Sequence, residues 1–289
     1  MTLTSLPLPA ESTITDIRQL LTPSSQIYAS YVHFFRPEHV VFHDYCNMSD
    51  GLQKVTAVLL TVDGRLVPGL SPRIYGLQSQ DILNIDTSTW ARSLGLTSFS
   101  GQLILLVDQI ESQGSKPIYP AITAHWLAAS HHCKIATAAF GHINTAKNQG
   151  KKSFFMYCSM AVVDSERTTY IVLFNHSTDS TYQDVVEVDT ALAGMKGQQL
   201  EGAPAKISPF GVLVLDIQQH FGIEGTTFLA NNQGHISVLM RHRGHTLPAY
   251  FFHVSRKNLD ILSGQHAQPP IAAFTHFGIW WGKLRRYSF

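Results

Sequence analysis

His39–Asp50 reads HVVFHDYCNMSD and Thr168–Asp179 reads TTYIVLFNHSTD. Each is a run of β-branched and aromatic residues closed by an N-x-S turn with an acid just beyond: Asn47, Ser49 and Asp50 in one, Asn175, Ser177 and Asp179 in the other. Short runs rich in Val, Ile, Thr, Tyr and Phe that end in Asn, Ser and Asp are strand signals. Asn and Asp suit tight turns because their side chains bond the backbone just ahead. The same signal appearing twice makes an internal repeat the first question to ask of the chain.

Outward from this pair, residues 27–146 and 153–270 present the same events in the same order. An aromatic run precedes each, Ile27–Phe35 (IYASYVHFF) and Ser153–Val163 (SFFMYCSMAVV), followed by the charged turns Arg36–Glu38 and Asp164–Arg167. Downstream come Gln53–Val62 and Tyr182–Ala191, then strands that end in an acid, Asp81–Asp86 (DILNID) and Val212–Asp216 (VLVLD). Leu94-Gly95-Leu96 and Phe221-Gly222-Ile223 come next, then the Gly-led apolar runs Gly101–Val107 and Gly234–Met240, and Pro120-Ala121 and Pro248-Ala249 open the last strands. The offset between counterparts is 128 for the asparagines, 130 for the acids, 127 and 133 for the glycines and 128 for the Pro-Ala pairs, the small drift that loop insertions produce.

The expected fold is therefore all-β: two tandem, internally repeated β-sandwich domains of immunoglobulin-like or jelly-roll-like form. They are expected at residues 26–148 and 149–270, with an N-terminal arm at 1–25 and a C-terminal docking tail, aromatic and basic, at 271–289. A short helix is expected over Thr13–Leu21, where Thr13 with Asp16 makes a capping box and Pro23 stops it. In Ile122–Ala139 the alanines permit a helix where the repeat asks for strands, and both remain open. In its N-x-x-D turn and its strand ending in an acid, the layout resembles bacterial immunoglobulin-like sandwiches and the small sandwich of the sensory-rhodopsin transducer family. That resemblance implies a sandwich and no site residue.

At 289 residues the chain is long for one core and comfortable for two. No apolar run reaches the roughly 18 to 20 residues of a membrane-spanning helix. The N-terminus has no positive charge ahead of its apolar residues and no continuous apolar stretch, so a cytoplasmic location without a secretory signal is expected. Cys46, Cys133 and Cys158 are odd in number and lack C-x-x-C spacing, which argues for reduced thiols rather than a disulfide framework or a Cys-rich zinc site. Lys plus Arg number 21 against 20 Asp plus Glu, a net charge of +1, so no global field draws nucleic acid and none is expected as a partner. Charged residues make up only 14% of the chain, against roughly 25% in ordinary soluble domains. A surface so poor in charge has little electrostatic protection against association, and this points to copies of the same chain or other protein subunits as partners.

The motifs G-x-S-x-G, G-x-x-x-x-G-K-[ST], G-x-G-x-x-G, H-E-x-x-H and the EF-hand loop do not occur, so a non-enzymatic role is expected and no cofactor with it. Histidine is the one abundant reactive type, 15 in all. His125, His131 and Cys133 form one candidate metal set, because imidazole and thiolate suit zinc or copper if strand geometry turns them to one side. The plainer reading is surface or interface histidines, since no carboxylate stands near in sequence to orient the rings. Arg241, His242, Arg243 and His245 form a second set, a possible anion clamp or a solvated turn built on Gly244. Repeat 1 carries Asp108 and Glu111 in the corresponding stretch, so head-to-tail contact between a basic and an acidic loop is a further expectation. Asp184, Glu187 and Asp189, set among valines, read as a solvent-facing strand edge. In the tail, Trp280, Trp281, Arg285 and Arg286 are the residue types that anchor interfaces. The leading expectation is a structural or assembly protein that self-associates or scaffolds a larger complex. The alternative is a ligand-binding or sensory module that takes a small molecule or carbohydrate at the loop ends, and a histidine-dependent metalloenzyme ranks third.

Overall fold

The computed structural model describes residues 14–110, 121–128, 131–138, 154–158, 161–194, 198–232, 236–242 and 247–266. The first half holds β1 (Gln26–Phe34), β2 (Val40–Cys46), β3 (Gln53–Thr61), β4 (Arg73–Leu77), β5 (Ile82–Asp86), helix α1 (Thr87–Ser93), β6 (Phe99–Gln109), β7 (Ala121–Ala128) and β8 (His131–Ala138). The second holds β9 (Phe154–Cys158), β10 (Arg167–Phe174), β11 (Val186–Gly194), β12 (Gln199–Glu201), β13 (Ala205–Ile207), β14 (Val212–Asp216), helix α2 (Ile217–Asn231), β15 (Ile236–His242), β16 (Ala249–Ser255) and β17 (Ile261–His266). The all-β expectation holds, and the open segment after Ala121 is a hairpin, with Trp126 opposite Cys133.

The strands form four antiparallel sheets ordered β1-β6-β3-β4, β5-β2-β7-β8, β14-β10-β16-β17 and β12-β11-β15-β9. Replacing β1 by β9, β2 by β10 and so on through β8 by β17 turns the first two orders into the last two. The place of β4 beside β3 is taken by two short strands, β12 and β13, that both pair with β11. Two helices enter where the sequence suggested only strands. Asp86 and Asp216 each end a strand and then cap a helix, Asp86 accepting from the Thr89 amide and Asp216 from those of Gln218 and Gln219. Gly95 follows α1 with φ +82°, and Gly222 interrupts α2 with φ +60°, so the glycines paired in the sequence occupy the left-handed region in both halves. The expected arm helix is shorter than Thr13–Leu21. It is one 3-10 turn, Ile17–Leu20, capped by Asp16 with Gln19 closing the box, while Thr13 lies outside the described residues. The acids of β11 are not on a sheet edge, because that strand is paired on both sides; Glu187 faces Lys206 at 3.8 Å and Asp189 stands opposite Arg241 in register.

The chain forms two compact units that divide between residues 147 and 148, with two later segments joining the first unit. The first takes residues up to 147 together with Phe174–Asp184 and Ser208–Val212; the second takes the rest. In the first unit, β3 and β6 are buried along almost their whole length instead of on alternate residues. One face of their sheet packs on β2, where Tyr28 meets the Tyr45 ring at 5.6 Å and Tyr45 donates to Gln53. On the other face, Ile27, Val58, Leu60, Ile104 and Leu106 are covered by Ile17, Tyr182 and Phe210. Arg18 fastens this cover, donating to the Tyr182 carbonyl at 3.1 Å while its guanidinium lies 5.4 Å from the Phe210 ring centre. The second unit has one mixed core in which Ile171, Leu173, Leu215 and Phe251 of one sheet pack with Val186, Val188, Leu192 and Val238 of the other.

The asparagines expected in tight turns are fully buried. Asn47 donates to the carbonyls of Gly51 and Leu77, and its amide nitrogen bonds the Asp81 carbonyl. Asn175 donates to those of Asp184 and Ser208, accepts from the Tyr182 hydroxyl at 2.6 Å, and its amide nitrogen bonds the Gly211 carbonyl. Each asparagine thus ties the end of the second strand to the segment that leads into the acid-ended strand. That segment turns through a left-handed residue at matching points, Gln80 with φ 67° and Phe210 with φ 58°. Removing such a side chain leaves two carbonyls without this donor. Asn175→Ala is expected to cost about 2–4 kcal/mol in urea denaturation, and Tyr182→Phe about 1 kcal/mol.

Candidate functional site

The β7–β8 hairpin brings a histidine cluster onto the outer face of β5-β2-β7-β8. Strand alternation puts Val41, His43 and Tyr45 of β2 inside and Phe42 and Asp44 outside. The register then sets His125 beside Phe42 on one side and Lys134 on the other, with His132 beside Leu127 on the same face. The His125 ring lies flat on Phe42, with centroids 4.2 Å apart and planes 12° from parallel. Its Nδ1 hydrogen-bonds His132 Nε2 at 3.3 Å. Its buried Nε2 stands 3.1 Å from Asp44 Oδ2, an ion-pair distance whose alignment falls short of a hydrogen bond. Asn84 on β5 holds the other carboxylate oxygen, donating from Nδ2 to Asp44 Oδ1 at 2.7 Å. His125 is only 6% exposed, whereas His132 is open to solvent. Burial lowers the His125 pKa most; Asp44 opposes this, and Lys134 and His132 add to it.

The metal set expected from the sequence is not gathered here. Trp126 and Cys133 are register partners, so Cys133 occupies the inner face and His125 the outer one. Position 131 falls on the Cys133 face. Cys133 is buried, and that burial pushes its thiol up to about 11. Among the described residues, no group of three or more His, Cys, Asp or Glu is placed around one point as metal ligands. The carboxylate that orients His125 comes from β2, far earlier in the chain, and only the β2–β7 pairing brings it alongside.

Arg241 and His242 lie in β15, opposite Asp189 and Val188. Arg243 and His245, and the tail residues Trp280, Trp281, Arg285 and Arg286, lie outside the described residues, as does Glu111. Asp108 is already engaged, accepting from the Thr22 and Ser25 hydroxyls at 2.8 and 2.7 Å.

Two further histidines are internal. His43 bridges the sheets, Nδ1 to Thr87 Oγ1 at 2.8 Å and Nε2 to Ser30 Oγ at 2.9 Å. Burial, aided by His125, brings its pKa down to about 3. His176 sits between Phe174 and Phe210, its ring centre 5.8 and 6.2 Å from theirs, and among the described residues neither ring nitrogen has a hydrogen-bond partner. Burial alone brings it down to about 3.

No family model matches the chain, and no curated protein matches it. Its matches among solved structures include a calcium-binding mutant of Bacteroides uniformis β-glucuronidase 2 at 8% identity, covering 82% of this chain and 26% of that one with a TM-score of 0.20. A glycosyl hydrolase family 2 member from Bacteroides cellulosilyticus follows at 10% identity, with coverage of 90% and 30% and a TM-score of 0.20. The CupB2 chaperone of Pseudomonas aeruginosa matches at 8% identity, covering 82% of this chain and 99% of its own with a TM-score of 0.15. The chain spans less than a third of either hydrolase, and likenesses at these scores bear on neither fold nor function.

The internal histidines set an acid limit. Both bind a proton more weakly folded than unfolded, so the stability they allow is complete above about pH 6.5 and is lost as pH falls from there towards 3, by about 1.4 kcal/mol per pH unit for each. Urea midpoints are therefore expected to fall steeply between about pH 6.5 and pH 4. His176→Leu, which removes two unpaired buried nitrogens, is expected to raise stability at neutral pH by about 1–3 kcal/mol and to make the acid slope shallower.

Proposed function

We propose that the protein is a non-enzymatic structural or assembly protein, built from two like sandwiches, that self-associates or scaffolds a larger complex. The observation that carries this reading is the state of the sheet edges. Among the described residues, the four sheets end in β1 and β4, in β5 and β8, in β14 and β17, and in β9 on one side with the short β12 and β13 on the other. Open edges present unpaired backbone groups to other chains, and monomeric proteins guard them with charge, above all lysine, or with proline. Here β1, β9 and β17 carry no charged residue at all. Asp86 and Asp216 are occupied as helix caps, and the Arg73 guanidinium lies 4.4 Å from the centre of the Trp90 ring. Lys134 on β8, Glu201 on β12 and Lys206 on β13, which stands 3.8 Å from Glu187, are the remaining charges on these nine strands. On β5, Ile82 is 64% exposed.

The low overall charge supports the same reading, since weak repulsion between copies favours association. The matching strand orders support treating the two halves as copies of one domain. On this reading the partners are further copies of the chain or other protein subunits, nucleic acid is not among them, and the location is cytoplasmic. Among the described residues, no helix is long and apolar enough to cross a membrane. Light scattering on the purified chain across a range of concentrations is expected to show a mass above that of the monomer, and Ile82→Lys is expected to weaken association at least tenfold. A monomer of unchanging mass at every concentration would refute the proposal.

A further inference from the structure

We propose that His125 and His132 together bind a divalent transition-metal ion, copper(II) or zinc, at an open site on the outer face of β5-β2-β7-β8, with Asp44 orienting His125 from behind. Two nitrogens each about 2.0–2.1 Å from one tetrahedral ion lie about 3.3 Å apart. That is the separation between His125 Nδ1 and His132 Nε2. The surroundings supply what such a ligand needs. Metal-bound imidazoles turn their other nitrogen to a carboxylate, which fixes the tautomer and makes the ligand more basic. Here Asp44 Oδ2 stands 3.1 Å from His125 Nε2, Asn84 holds the carboxylate, and Phe42 holds the ring flat. His125 is therefore set before any ion arrives, and exposed His132 swings as the second ligand and entry point once its hydrogen bond to His125 opens.

In the present arrangement one proton is shared between the two facing nitrogens. With Nε2 of His125 protonated towards Asp44, that proton belongs to His132 Nε2. On binding it moves to His132 Nδ1 through solvent, so two neutral rings take up the ion with no net change in bound protons. The two rings now meet nearly head-on, their centroids 5.5 Å apart, so a tilt of exposed His132 brings both lone pairs onto the metal, and water fills the remaining positions. The usual affinity order places copper(II) above zinc, whereas the 3.3 Å separation is the tetrahedral one that suits zinc, neighbouring positions on a tetragonal copper(II) ion lying closer together. The site is open and exchangeable, unlike the closed four-ligand sites that hold a fold together. Lys134, the register partner of His125 on this face, opposes a cation there.

The test is titration of the full chain with copper(II) and, separately, zinc, by calorimetry at neutral pH, together with 15N spectra of the imidazoles. One binding event is expected, weakened at least tenfold in His132→Ala and several-fold in Asp44→Asn, and tightened in Lys134→Gln. The His125 Nδ1 signal is expected to shift on adding zinc, a readout that a purely structural histidine would not give. His132 is exposed, so its replacement leaves the fold intact. Equal affinity and stoichiometry in wild type and His132→Ala, or an unmoved His125 Nδ1 signal, would overturn the assignment.

Discussion

The sheet β1-β6-β3-β4 is apolar on both faces, and a sheet of that kind needs two covers. One is the partner sheet β5-β2-β7-β8. The other is assembled from pieces far apart in sequence: Ile17 from the arm, Tyr182 from the loop after β10, and Phe210 from the turn before β14. Burying an aromatic side chain such as Phe210 contributes about 1.5–3 kcal/mol, so these few residues account for a sizeable share of a domain's net stability. Hydrogen bonds reinforce the cover: the side-chain amide of Gln102, buried in β6, donates to the Phe210 carbonyl at 2.6 Å, and the Val212 backbone amide donates to the Val62 carbonyl at 2.8 Å. The compact units are interleaved in sequence because this face takes residues from the second half of the chain.

The same requirement explains why the asparagines are buried. A loop that packs into a core brings its carbonyls with it, and each must find a donor. Asn47 and Asn175 supply two donors apiece from one short amide, at the same point of the strand order in each half. Around them the scheme repeats: a left-handed residue, an acid-ended strand, a helix capped by that acid, a left-handed glycine. Elsewhere the halves diverge. Where the first unit holds polar His43 between Ser30 and Thr87, the corresponding position counted back from the asparagine is Ile171, buried in an apolar core.

Histidine serves opposite ends in this chain. Where both nitrogens are bonded to hydroxyls, as in His43, the neutral ring is a brace between sheets. Where neither is bonded, as in His176, it is a weakness that acid exposes. On the outer face, with a carboxylate behind one nitrogen and a second imidazole before the other, His125 becomes a candidate ligand. The residue type is the same in all three; solvent and neighbouring groups decide its role.

Local patterns in the chain were enough for the strand-rich class and the positions of most strands, because short-range propensity and turn chemistry act within a few residues. They could not show that Asp86 and Asp216 start helices as well as end strands, since a cap is recognisable only once the backbone beyond it turns. Nor could they set Asp44 against His125, or place Cys133 on the opposite face. Those follow from which strands become neighbours and in what register, where a shift of one residue moves every side chain to the other face. The strands were written in the sequence; the neighbours, and with them the site, were decided by the packing of segments far apart along the chain.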